Sequence, residues 1–178
     1  MSRHLTREEL IDHHKKLGRV RNNLFPESFS IMAIIWNYVL YNDYKFRLSR
    51  LQQFNEGLLK YLEPYNTENF IELRERLLRR ADFILECGDS EKTYNKKYTN
   101  RIHLEKKEIQ EKTNKYSTFY NLCAFNYMID KGYGKKRLER LKNSIKTLMY
   151  KAENNELNLI KCHQELAYNG VIIELPNI

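Results

Sequence analysis

Apolar residues recur along the chain at helical spacing in several separated blocks, and the blocks set the expected elements. Leu10, Leu17, Val20 and Leu24, with Ile11 beside them, form the first stripe, and Thr6 with Glu9 supplies a capping box at its start. This predicts a helix from Thr6 to about Leu24, stopped by Pro26, within an N-terminal segment 1–27. Ser28 to Asn42 is apolar on nearly every side, so a second helix there must touch several neighbours at once. After an Asn42-Asp43-Tyr44 turn, Leu48, Leu51, Leu58, Leu59 and Leu62 mark a third helix that stops before Pro64. Thr67 can cap a fourth, carrying Phe70, Leu73, Leu77, Leu78, Ile84 and Leu85, with Glu72, Arg74, Glu75, Arg76, Arg79 and Arg80 turned outward and Gly88 at its end.

The pattern then changes. Between Ser90 and Tyr116 only Ile102, Leu104 and Ile109 interrupt a polar run, which predicts a charged linker, 90–116, with room for one solvated helix. From Ser117 the apolar run returns, a Gly132-Tyr133-Gly134 corner follows, and Leu138, Leu141, Ile145 and Leu148 mark the next helical face. A last helix is expected from about Glu156 to Tyr168, ending at Gly170, with the tail from Val171 extended or a short strand. The fold class read from these blocks is all-α.

The two halves also resemble each other. Asn37-Tyr38 corresponds to Asn126-Tyr127 and Tyr44 to Tyr133, and with one residue inserted Leu48, Arg50 and Leu51 fall on Leu138, Arg140 and Leu141. A block used twice predicts two similar three-helix units, 28–89 and 117–178, each burying its open face against the other. In this reading Tyr44, Gly132, Tyr133 and Gly134 are structural corner residues. The glycine pair supplies positive φ in the second corner, and Asn42-Asp43 do the same work in the first.

Composition narrows the classes of function. Six glycines and three prolines in 178 residues fit long helices, and the most apolar run, Ile31 to Tyr41, is too short to cross a bilayer. Three widely spaced cysteines and no secretory pattern lead to the expectation of a reducing, cytoplasmic setting without disulfides. With 31 Lys and Arg against 23 Asp and Glu the formal charge is +8, which favours an anionic partner, although a chain rich in Asn, Lys, Tyr and Ile can also owe charge to genome composition.

No phosphate-cradling glycine loop and no metal-ligand spacing occurs, so neither a cofactor nor a metal is expected. His4, His13 and His14 beside Asp12 could form an acid-base cluster, yet no activated nucleophile accompanies them, and no catalytic residue is assigned. The basic helix after the second corner is the functional candidate. Lys135, Lys136 and Arg137 fill its first turn, Arg140, Lys142 and Lys146 continue it, and all six are expected to face away from the leucines. A corner followed by a basic helix is the outline of a helix-turn-helix, and the alternative is a solvated positive face.

Tyr133-Gly134-Lys135-Lys136-Arg137-Leu138, then Leu141, and more weakly Tyr44 to Leu51, resemble the aromatic-glycine corner and Arg-Leu helix, near FGFGxxRL, of small proteins encoded by phages and prophages of low-GC Gram-positive bacteria. Asn42 and Asp43 replace the glycines in the first copy, which departs from that pattern. The resemblance implies a mobile-element accessory protein in a bacterial cytoplasm. The expected function is non-enzymatic binding of nucleic acid, or of a host nucleoprotein complex, through the six cations. The alternative is a protein-protein inhibitor of a host defence system, anti-CRISPR-like, and neither reading involves a membrane.

Overall fold

The apolar blocks become helices because burying one stripe per helix offsets the entropy of ordering the backbone. The computed structural model describes residues 27–62, 67–85 and 101–173, and among these it contains six helices and no strand. They are α1 (27–42), α2 (Leu48–Leu62), α3 (Thr67–Ala81), α4 (Arg101–Asp130), α5 (Lys135–Glu153) and α6 (Leu159–Tyr168). The predicted N-terminal helix with its histidines, residues 63–66 with Pro64, residues 86–89 with Gly88 at the expected end of the fourth helix, residues 90–100 of the linker, and the tail beyond 173 lie outside the described residues.

Trp36 of α1 is the centre of the core. Fully buried, it stacks on Phe54 of α2 at 5.6 Å and meets Phe125 of α4 edge-on at 4.9 Å. Its Nε1 donates to Asn121 Oδ1 at 2.8 Å, so the indole is buried without an unpaired polar atom. Each such aromatic contributes roughly 2–3 kcal/mol by leaving water. α4 also packs against both α2 and α3, and therefore runs through the middle of the bundle.

Two amides stitch this apolar interior. Asn37 and Asn126 are both fully buried, and each donates Nδ2 to the carbonyl four residues back, Ala33 at 2.9 Å and Leu122 at 2.8 Å. Asn37 then exchanges hydrogen bonds with Asn55 of α2, and Asn126 reaches Leu73 O of α3 at 3.0 Å. Buried amides of this kind fix which helices are neighbours, because a wrong neighbour would leave them unpaired.

The linker boundary needs correction. α4 continues without a break from Arg101 to Asp130, straight through the predicted junction at 116/117. Lys, Glu and Gln are good helix formers, so a polar stretch extends a helix that its buried second half has already nucleated.

The end of α3 moves as well. The helix stops at Ala81 and not at Gly88, because Asp82 adopts φ 47° and turns the chain. Residues 82–85 are then extended, with Phe83 and Leu85 buried and Ile84 exposed. α6 ends in the same manner: Gly170 has φ 80°, Val171 N–H bonds Leu166 O at 2.9 Å, Val171 is buried and Ile172 exposed.

The corners differ from expectation in register. Gly132 is left-handed, with Gly132 N–H bonding Ile129 O and Tyr133 N–H bonding Met128 O, a Schellman closure. Gly134 has φ −83° and serves as the N-cap of α5, so only one glycine of the pair needs to be glycine. In the first corner the left-handed residue is Lys45, φ 53°, and not Asn42 or Asp43. The buried aromatic that follows it is Phe46, so Phe46 and not Tyr44 is the counterpart of Tyr133. Arg47 stands where Gly134 does: Arg50 and Leu51 N–H bond Arg47 O, as Arg137 and Leu138 N–H bond Gly134 O.

The helices after the corners shift accordingly. Leu48 is exposed while Leu138 is fully buried, which overturns their pairing. The buried stripe Leu51, Phe54, Leu58 in α2 has the spacing of Leu138, Leu141, Ile145 in α5.

Candidate nucleic-acid interface

Three buried residues, Leu138, Leu141 and Ile145, fix how α5 is rotated, and that rotation splits the six predicted cations. At about 100° per residue, Lys135, Lys142 and Lys146 fall on one flank of the stripe, Arg137 on the other, and Lys136 and Arg140 on the outer face. They do not form one face.

The first flank is occupied by protein. Lys135 pairs with Asp82, the residue that ends α3. Lys142 pairs with Glu139 at 2.6 Å and lies 5.1 Å over the ring of Phe83, leaving its side chain only 14% exposed. Lys142 and Lys146 both line a cavity of about 490 Å³ between α1, α4 and α5, whose walls include Met32, Ile35, Phe125 and Met149. Lys142 does not face away from the core, because Phe83 of the 82–85 segment packs against it, whereas Lys146 stays exposed at the edge of the cavity.

The other side of α5 meets the start of α2. Arg50 lies 4.0 Å over the ring of Phe46, and its Nη2 donates to Tyr133 Oη at 3.4 Å. Arg137 lies 5.7 Å over the ring of the same Tyr133. Lys131 lies 5.2 Å over Tyr127, whose hydroxyl donates to Gln53 O at 2.8 Å. Burial raises the Tyr127 phenol pKa, with the nearby Arg50 charge pulling it back and Glu56 pushing it up. Tyr44 is raised by burial too, offset by a hydrogen bond with Ser144 and by the charge of Arg140. Asp43 is the acidic neighbour on that side.

Arg50, Lys131, Lys136, Arg137 and Arg140 are all exposed, and none makes an ion pair among the described residues. Cations and rings therefore alternate from Lys131 through Tyr127, Arg50 and Tyr133 to Arg137. A cation over a ring gains about 0.5–1 kcal/mol at an exposed site, enough to order the side chain while leaving its outer N–H groups to solvent. Tyr133 and Gly132 thus position charge as well as shape, whereas Gly134 acts as a cap.

Arg76 and Arg80, expected outward, turn to Asp130 at the end of α4, where Arg76 lies 2.7 Å from the carboxylate and Tyr61 also donates to it. Burial works to raise the Asp130 pKa, but the Tyr61 and Arg80 hydrogen bonds and the Arg76 charge outweigh it and hold the carboxyl low. Two guanidiniums at the negative end of a helix fit its dipole. Neither described cysteine looks activated: burial raises the thiol of Cys123, which donates to Tyr61 O, and that of Cys162.

Among the described residues no group of three or more His, Cys, Asp and Glu side chains is placed to hold a metal, and no helix is long and apolar enough to cross a membrane. The charge-pattern reading missed Arg50, Phe46 and Lys131. The signal that could have found the first two is aromatic-x-x-x-Arg-Leu, present as Phe46 to Leu51 and again as Tyr133 to Leu138. Comparison with protein families, with curated proteins and with solved structures gives no match for the chain.

Proposed function

We propose that this chain is a non-enzymatic, phage-type accessory protein that binds nucleic acid in the cytoplasm of a bacterial host, through the surface where its two corners meet. The observation that carries the reading is the convergence of Arg50 from α2 and Arg137 from α5 on Tyr133, with Arg50 also over Phe46, Arg140 adding its charge beside Tyr44, and no ion pair to any of the three among the described residues. Lys136 extends this surface, while Lys135, Lys142 and Lys146 belong to the other flank.

The same proposal includes a duplicated body of two three-helix units. Its supports are local: Asn37 and Asn126 make the same bond, and Leu73 with Leu77 has the spacing of Cys162 with Leu166. Left-handed Asp82 and Gly170 are each followed by a buried and then an exposed residue, Phe83 and Ile84 in one case and Val171 and Ile172 in the other, and the counterparts Trp36 and Phe125 touch each other. A duplication of this kind brings the two corners together and doubles the cations at one place.

The test is a salt titration of binding to a mixed pool of host nucleic acid. Four phosphate contacts give a slope of about −3 to −4 in log K against log salt, a loss of roughly a hundredfold between 50 and 200 mM. The triple change R50E/R137E/R140E abolishes binding, and Lys135→Glu leaves it nearly intact. Salt-insensitive binding, or an equal loss with Lys135→Glu, refutes the reading.

A further inference from the structure

Resting on that reading, we infer that the corner surface recognises the phosphate backbone of a double helix, independently of sequence, and does not read bases. Binding of single strands without sequence preference depends on exposed ring faces on which bases stack. Here the rings are taken. Phe46, Tyr127 and Tyr133 are only 5–7% exposed, each with a cation over it, and the Tyr127 hydroxyl is spent on Gln53 O. Half-buried Tyr44, beside Arg140, is the further ring here, and a single part-covered ring does not make the row of exposed faces that successive bases need.

Base reading in a groove requires a side chain that projects freely and presents its fork to a base edge. Arg50 is held between the Phe46 ring and the Tyr133 hydroxyl, and Arg137 rests on the other aromatic contact of the same tyrosine. Both guanidiniums are therefore tethered to the aromatic wedges while the residues stay exposed, and Lys136 and Arg140 add exposed charge on the same helix α5. Such an array matches phosphate oxygens, which fix register and orientation but carry no sequence information. With stacking and base contacts removed, affinity follows charge density. A duplex carries one charge per about 1.7 Å of axis against about 3.4 Å for one strand, so the duplex is the preferred ligand.

The experiment uses the full chain and fluorescence anisotropy at one fixed salt concentration. Probes are two 20-base-pair DNA duplexes of unrelated sequence, the duplex RNA of one of them, the separated strands, and oligo-dT. The two DNA duplexes bind within about threefold of each other, and each single strand, oligo-dT included, binds at least about tenfold more weakly. DNA and RNA are separate arms, and each supports the inference when the duplex binds more tightly than its own strands. Tyr133→Phe, which keeps the ring and removes the hydroxyl that steadies Arg50, weakens both DNA duplexes equally. A strand that binds as tightly as its duplex, or a difference above tenfold between the two DNA sequences, overturns the inference and leaves nucleic-acid binding standing. Absence of binding to every probe at low salt overturns the proposed function itself. The wild-type comparisons alone decide the point if the variant does not fold.

Discussion

The two corners carry out one geometric task with different residues. In the second, Gly132 takes φ 80° and Tyr133 enters the core; in the first, Lys45 takes φ 53° and Phe46 enters it. A non-glycine residue in the left-handed region costs about 1–2 kcal/mol, so the first corner holds strain that the second avoids. What the corners have in common is then the buried ring, the N-capping carbonyl and the Arg three residues after the cap. The feature that both corners show is a buried ring with a cation upon it, and glycine is one of two ways to reach it.

The largest expected effect tests that requirement directly. Phe46→Ala and Tyr133→Ala each remove a nearly buried ring and the support of an arginine, and each lowers stability by about 3 kcal/mol in urea unfolding. Similar losses keep the two corners equivalent. A loss below about 1 kcal/mol at Phe46 alone would return that role to Tyr44.

A second contrast lies on the helices that follow. Gly57 of α2 sits beneath Tyr127, and a Cβ there would overlap the ring at Cε2. Ser144, at the matching place on α5, instead hydrogen-bonds Tyr44. Alanine is the better helix former by about 1 kcal/mol, yet Gly57→Ala is expected to destabilise by about 2 kcal/mol, because the overlap must be relieved by moving a packed ring. Ser144→Ala costs only about 0.5–1 kcal/mol, the worth of one hydrogen bond. Paired thermal melts check both, and a stabilised Gly57→Ala protein would show that Tyr127 has room to shift.

Much of the fold could be read from the chain, and the failures share a cause. The apolar stripes placed α1, α2, α5 and α6 within a few residues, because burial of one face per helix writes itself into sequence period. Ile84 and Leu85 continued that period past Ala81, although the chain there is extended, and only the left-handed Asp82 separates the two states. The polar start of α4 reads as linker in the sequence, since a run of Lys, Glu and Gln carries helix propensity but no apolar stripe. At the corner, residue identity paired Tyr44 with Tyr133, whereas packing pairs the residues that follow a left-handed position. Of the predicted cations, Lys136, Arg137 and Arg140 reach the candidate surface. Lys142 was misplaced because α5 alone does not reveal that Phe83 will cover one flank.

Smaller and of opposite signs are three glycine tests. Gly132→Ala forces a side chain into φ 80° and costs about 1–2 kcal/mol, although open space surrounds the position. Gly134→Ala, at φ −83° and also in open space, is near neutral, because the gain of about 0.4–1 kcal/mol through the unfolded chain is offset by alanine being a poorer N-cap than glycine. Lys45→Gly removes the strain of the first corner and leaves stability unchanged or slightly higher. Equal losses at Gly132 and Gly134 in denaturant titrations would mean that the pair acts as a flexible unit, contrary to the capped geometry.

The smallest effect concerns the charge at the end of α4, where the second corner begins. Asp130 is about one-third exposed, so its ion pairs with Arg76 and Arg80 are screened, and together they add only about 0.5–1 kcal/mol. Its folded pKa is lowered below the ordinary carboxylate value, by hydrogen bonds from Tyr61 and Arg80 and the Arg76 charge acting against burial. A depressed carboxylate pKa stabilises the fold above the unfolded pKa of about 3.9, and that stability disappears as pH falls through the folded value. Asp130→Asn keeps an oxygen acceptor and removes the charge, so wild type should exceed it by a constant margin above about pH 5, with the two converging below about pH 4. A margin that persists unchanged into acid would assign Asp130 to shape rather than charge, and the second corner would then be held, like the first, by its wedge alone.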